Sequence, residues 1–176
     1  MIVEIYKDWI NDNINPNVYA VLTLRDKIIV DHGSARSIAF GSFDRYRNCA
    51  DCLMKRLSKE IYGKKAYRRF KTRVPSVVTL EGNGDGIFLD PHHADFKKFS
   101  DSGKNPVRYH LNIIMERPDW IPFDGFRSKL VELWKKDVWA MPDVYVEEVT
   151  GDCVGYALKE GPETLLASST SFPLRF

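Results

Sequence analysis

A chain of 176 residues, 44% hydrophobic and 28% charged, is long enough for one domain with an ordinary buried core. It has no apolar run near the ~18 residues that a membrane span requires, and its three cysteines, Cys49, Cys52 and Cys153, cannot form a disulfide framework. Net charge is only +2, yet residues 45–73 hold eleven basic side chains against Asp51 and Glu60, a surplus of nine that leaves the rest of the chain at −7. Such a block suits a polyanion, or else forms a solvated helix face.

In chain order, Met1 to Ile10 carry Glu4, Lys7 and Asp8 and lack the apolar stretch of a signal peptide, so the cytoplasm is the expected location. Val18–Leu24 is dense in β-formers and predicts a buried strand. A mixed stretch punctuated by Gly33 and Gly41 leads to Ser42, a helix cap with Asp44 in the first turn. Tyr46, Ala50, Leu53, Leu57 and Ile61 then form one helical stripe, closed by Gly63. The pair Cys49 and Cys52 falls inside this helix as ordinary helix residues.

Ser76–Glu81 predicts a second strand, broken by the glycines at 82, 84 and 86. Residues 90–105 predict a long loop containing His92 and His93. Residues 108–115 predict a third strand stopped by Pro118. Phe126, Leu130, Leu133 and Trp134 mark an amphipathic helix after Pro122. Residues 143–149 alternate as a fourth strand, and 151–160 predict a short helix before Gly161 and Pro162. This succession gives an α+β fold, an antiparallel sheet with helices packed on it. It forms a single domain over residues 1–176, with its core at about 18–161 and a tail at 162–176.

The third strand carries the clearest chemistry. Side chains alternate across a strand, so His110, Asn112 and Ile114 share one face while Tyr109, Leu111 and Ile113 share an apolar one that meets the core. Glu81 ends the preceding strand and joins His110 and Asn112 if the two strands pair. One nitrogen and two oxygen donors suit Mg²⁺ or Mn²⁺ better than structural zinc. The alternative is a merely polar sheet face. On the last helix, Tyr156 and Lys159 lie at i and i+3, on one side. A phenol with an ordinary pKa near ~10 attacks at neutral pH only when a cation stabilises its oxygen. Asp152, at i−4 from Tyr156, is either a further contact or the helix N-cap.

Taken in order, these pieces resemble the rolling-circle replication initiators, a branch of the His-hydrophobe-His (HUH) single-strand DNA endonucleases. The resemblance runs over about residues 18–161. It rests on a short strand at Leu22, Thr23 and Leu24, a metal strand RYHLNIIMERP at 108–118, and a nucleophile helix VGYALKEG at 154–161. It implies a ferredoxin-like sheet with the metal strand central. It also implies a metal held by Glu81, His110 and Asn112, with Tyr156 as nucleophile and Lys159 as its helper. Asn112 stands where that family usually has its second histidine; an amide oxygen still ligates Mg²⁺ or Mn²⁺.

The implied reaction is nicking and rejoining of single-stranded DNA at an origin hairpin through a 5′-phosphotyrosine. Arg68, Arg69, Lys71, Arg73 and Arg108 are the expected DNA contacts. The chain has no phosphate-binding loop of the Gly-x-x-x-x-Gly-Lys-Ser/Thr type, so a host or plasmid helicase and polymerase are the expected partners, with no membrane involved. A single-tyrosine transposase of the same superfamily and a non-catalytic single-strand binder are the alternatives.

Overall fold

The computed structural model describes residues 2–82, 108–149, 153–158 and 162–173, apart from the side chains at 2, 3, 156 and 162. The chain opens with helix α1 (Ile2–Asn13) and strand β1 (Val18–Leu24), followed by a hairpin of β2 (Lys27–Asp31) and β3 (Arg36–Phe40). Helices α2 (Phe43–Tyr62) and α3 (Lys64–Phe70) lead to β4 (Ser76–Glu81). Strand β5 (His110–Met115), helix α4 (Phe123–Trp134), strand β6 (Ala140–Glu148) and helix α5 (Cys153–Ala157) complete the main elements. The fold is α+β, and four strands form one antiparallel sheet in the order β4-β5-β1-β6.

One face of the sheet is covered by the larger core and the other only in part. Val18, Ala20, Leu22 and Leu24 of β1 and Leu111, Ile113 and Met115 of β5 point into the larger core, which the stripe Tyr46, Ala50, Leu53, Leu57 and Ile61 of α2 and Phe126, Leu130 and Trp134 of α4 close from above. Ser42 caps α2 as its sequence predicts, its Oγ accepting from Arg45 N at 3.3 Å. Within α2, the buried Ser58 hydroxyl donates to Met54 O at 2.7 Å and accepts from Val74 N at 3.0 Å, tying the helix to the approach of β4. On the opposite face, Val77 of β4 and Ile114 of β5 pack with Ile10 and Ile14 of α1 and its C-terminal turn, with Val154 and Ala157 of α5, and with Leu158 just after it.

Several expectations are corrected. The third strand begins at His110, not at 108, and the fourth runs over Ala140–Glu148, not over 143–149; β6 is an edge strand and so accommodates Pro142. Helices α1 and α3 and the β2–β3 hairpin have no counterpart in the sequence reading. Trp120 is 65% exposed, whereas Trp139 is buried. The tail returns to the sheet: Ser171 and Ser76 exchange backbone hydrogen bonds at 2.7 and 2.8 Å, and Leu166 N donates to Val78 O at 2.8 Å. This covers the outer edge of β4, which explains why all six of its residues are buried. The loop expected at 90–105, with His92 and His93, lies outside the described residues.

Candidate functional site

Strands β4 and β5 pair so that Ser76 faces Met115, Thr79 faces Asn112 and Glu81 faces His110. Facing residues in an antiparallel pair point to the same side. The register therefore puts Thr79, Glu81, His110 and Asn112 together on the face that carries Ile114, the face that α1 and α5 partly cover. Strand β1 extends the row, with Thr23 opposite His110 and Val21 opposite Asn112.

The imidazole is fixed by its backbone. His110 Nδ1 lies 3.0 Å from Arg108 O. A carbonyl only accepts, so Nδ1 carries the hydrogen and the neutral ring presents the Nε2 lone pair. That nitrogen stands 3.6 Å from Glu81 Oε2. This is too long for a hydrogen bond, but close to the spacing of roughly 3 to 3.5 Å between two ligands held about 2.1 Å from one cation. The carboxylate is only 3% exposed, and burying an ionised carboxylate is costly unless a positive charge or donor offsets it.

Asn112, 1% exposed, lies deeper than Glu81. Tyr19, from β1, donates its hydroxyl to Asn112 Oδ1 at 2.8 Å, while Nδ2 is buried with no partner among the described residues. A buried amide hydrogen left unpaired costs about 1–3 kcal/mol. Turning the amide by 180° keeps the contact, with Nδ2 donating to the Tyr19 oxygen, and brings Oδ1 to the vacant side. An oxygen there needs an electrophilic partner, as a hard cation provides.

Gly82 brings the two strand ends this close. At φ +122° a Cβ on Gly82 would stand 2.7 Å from Tyr109 Cα and 2.9 Å from Arg108 O, so only glycine lets the chain leave Glu81 alongside the residues that anchor His110.

The helix expected to carry the nucleophile packs on this same face: Thr79 Oγ1 donates to Ala157 O at 3.2 Å. Tyr156 is the residue before Ala157 on α5. Its side chain, Lys159 and Asp152 lie outside the described residues. Of the expected DNA contacts, Arg108 flanks the cluster; its Nε is 3.8 Å from Asp26 Oδ2 and its Nη1 donates to Met141 Sδ at 3.2 Å. Arg68, Arg69 and Lys71 are exposed on and just after α3, and Arg73 donates to Ser168 O at 3.4 Å. These four precede β4, and Glu81 ends that strand, about 17 Å from Ser76 at ~3.4 Å per residue.

The donor set of imidazole, carboxylate and amide oxygens fits a hard divalent ion that keeps further positions for water or phosphate. Among the described residues, no three His, Cys, Asp or Glu side chains gather at one point, so such a site depends on Asn112. Sequence reasoning missed Tyr19, which alternation on β1 places on the same face. The chain matches no protein-family model, and no curated protein or solved structure matches it at a significant level.

Proposed function

We propose that the chain nicks and rejoins single-stranded DNA through a covalent tyrosine intermediate, as an initiator of rolling-circle replication does. The observation that carries this reading is the pairing of Glu81 with His110 across β4 and β5, on the face where α5 packs. The succession β1, α2, β4, β5, α4, β6, with β5 and β1 in the middle of the sheet, supports a ferredoxin-like arrangement with the metal strand inside it.

Glu81, His110 and Asn112 would hold Mg²⁺ or Mn²⁺, which when bound withdraws charge from a phosphate oxygen. The chain's own groups do the rest. Arg108 O keeps the His110 ring in one tautomer, and Tyr19 holds the Asn112 amide. The Tyr156 oxygen attacks phosphorus as the bond to the 3′ oxygen breaks. The phenolic proton leaves to solvent, the departing oxygen gains one, and a 5′-phosphotyrosyl link and a free 3′-hydroxyl result. Attack of a 3′-hydroxyl on that link reverses the step and joins ends. Lys159 balances phosphate charge. No described helix is long and apolar enough to cross a membrane.

The test is incubation with labelled single-stranded oligonucleotides and Mn²⁺, looking for a protein–DNA band that survives denaturant. Wild type gives the band and Tyr156→Phe does not. A band that persists in the variant removes Tyr156 as nucleophile.

One observation favours a second reading, a non-catalytic single-strand binder. Tyr19 and Tyr145 stand on the candidate face with ring centroids 6.4 Å apart, and Tyr145 is exposed, as base-stacking residues are. Binding that is independent of Mn²⁺, with no covalent band under any condition, selects it.

A further inference from the structure

We propose that the groove at the Ser76–Met115 end of the sheet is a second subsite for single-stranded nucleic acid, metal-independent and separate from the His110 cluster. The groove has a volume of about 680 Å³, and Tyr62, Phe70, Lys71, Arg73, Pro75 and Phe172 are among its walls. Its place follows from Pro75 and Glu116, which precede β4 and follow β5 and are joined by the Glu116 N to Pro75 O hydrogen bond at 2.9 Å.

The walls combine two chemistries. Phe70 is 59% exposed although it ends a helix. Exposed aromatic rings at the same end include Trp120, whose ring is 6.4 Å from Tyr62, and Trp9, 4.4 Å from Phe172. Burial of such rings against bases is favourable for any base, because every base has a π-face. Between them stand cations. Lys71 and Arg73 line the groove itself, and the Arg69 guanidinium lies 5.2 Å from the centre of the Phe70 ring. Among the described residues its one acid is Glu116, which already accepts from Asn15 N at 2.8 Å. Lys71 sits in the left-handed region at φ 55°. That conformation stops α3 and turns the chain toward β4, placing Phe70 and Lys71 side by side on the groove wall.

A duplex offers phosphates but hides its base faces, and an acidic peptide offers charge without planar rings. Interleaved exposed aromatics and cations match a single strand, which presents both. The subsite does not rest on the cleavage reading. It goes beyond it by giving the strand a purchase some 17 Å, about the length of β5, from the phosphate to be cut.

The experiment measures fluorescence anisotropy in EDTA with an oligothymidylate of about 15 nucleotides and with an abasic strand of equal length. Phe70→Ala weakens oligothymidylate binding roughly tenfold and leaves the abasic strand unchanged. Lys71→Asn, which keeps a residue tolerant of left-handed backbone, weakens both and lowers the salt slope by about 0.7. Melting curves show that both variants fold, as exposed positions allow. Wild type that fails to bind the strand, variants that bind as wild type does, or equal losses for Phe70→Ala on both strands overturn the subsite. Since no divalent ion is present, a protein that binds here and never nicks DNA keeps this inference and loses the other.

Discussion

Glu81 and His110 face each other across β4 and β5, with the carboxylate oxygen Oε2 3.6 Å from Nε2 of the ring. Their neighbour Asn112 is two residues along the same face as His110, and its amide is touched by Tyr19 from the adjacent strand β1. Four side chains from three strands thus meet because the register of each pair agrees. A slip by one residue would send His110 into the core and Leu111 to the site.

Gly82 is the hinge on which that meeting depends. Gly82→Ala places a methyl group 2.7 Å from Tyr109 Cα at φ +122°, so the backbone at Arg108 and Tyr109 must move. The variant loses about 1–3 kcal/mol of stability in denaturant unfolding. It also weakens Mn²⁺ binding, because Arg108 O is the anchor of His110. Stability and binding equal to wild type would refute the close approach.

Tyr19 positions Asn112. Tyr19→Phe removes one hydroxyl and keeps the ring that meets Tyr145. The expected result is a several-fold loss of Mn²⁺ affinity, in line with the effect of removing a hydrogen bond that orients a ligand, with the melting temperature little changed. Unaltered affinity would mean that Asn112 needs no orientation or binds no metal.

Asp26 gives a pH signature. Burial raises its pKa from the usual 3.8, and the charges of Arg108 and Lys27 offset only part of that. A raised acid pKa makes the folded state bind a proton more readily than the unfolded one, so this group's contribution is retained below 3.8 and lost as pH rises through the folded value. Asp26→Asn therefore raises the unfolding midpoint at pH 7, and the gain shrinks toward pH 3. Thermal unfolding across that range checks it; a variant less stable at pH 7 would show that Arg108 matters more than burial.

Much of this arrangement is legible in the sequence, and the reasons are local. Alternation places His110 and Asn112 on one face and Leu111 and Ile113 on the other, as the structure has them. The α2 stripe and the Ser42 cap are equally local. What the sequence leaves open is partnership. Whether Glu81 reaches His110 depends on register across a 28-residue gap between the strands, which no short-range pattern encodes. Tyr19 escaped notice because Val18–Leu24 reads as a uniform apolar run, although its alternate residues are only partly buried. The β2–β3 hairpin exposes Ile29, Ile38 and Phe40, so its pattern lacks the apolar-in, polar-out contrast that marks a strand. Helix α3 buries none of its residues and offers no apolar stripe.

The measurement that bears most directly on the account is Mn²⁺ binding, followed by electron paramagnetic resonance, for wild type, His110→Ala and Glu81→Gln. Wild type binds one Mn²⁺, and each variant loses at least tenfold in affinity, about 1.4 kcal/mol. Equal binding by all three proteins, or no binding by wild type, would contradict it.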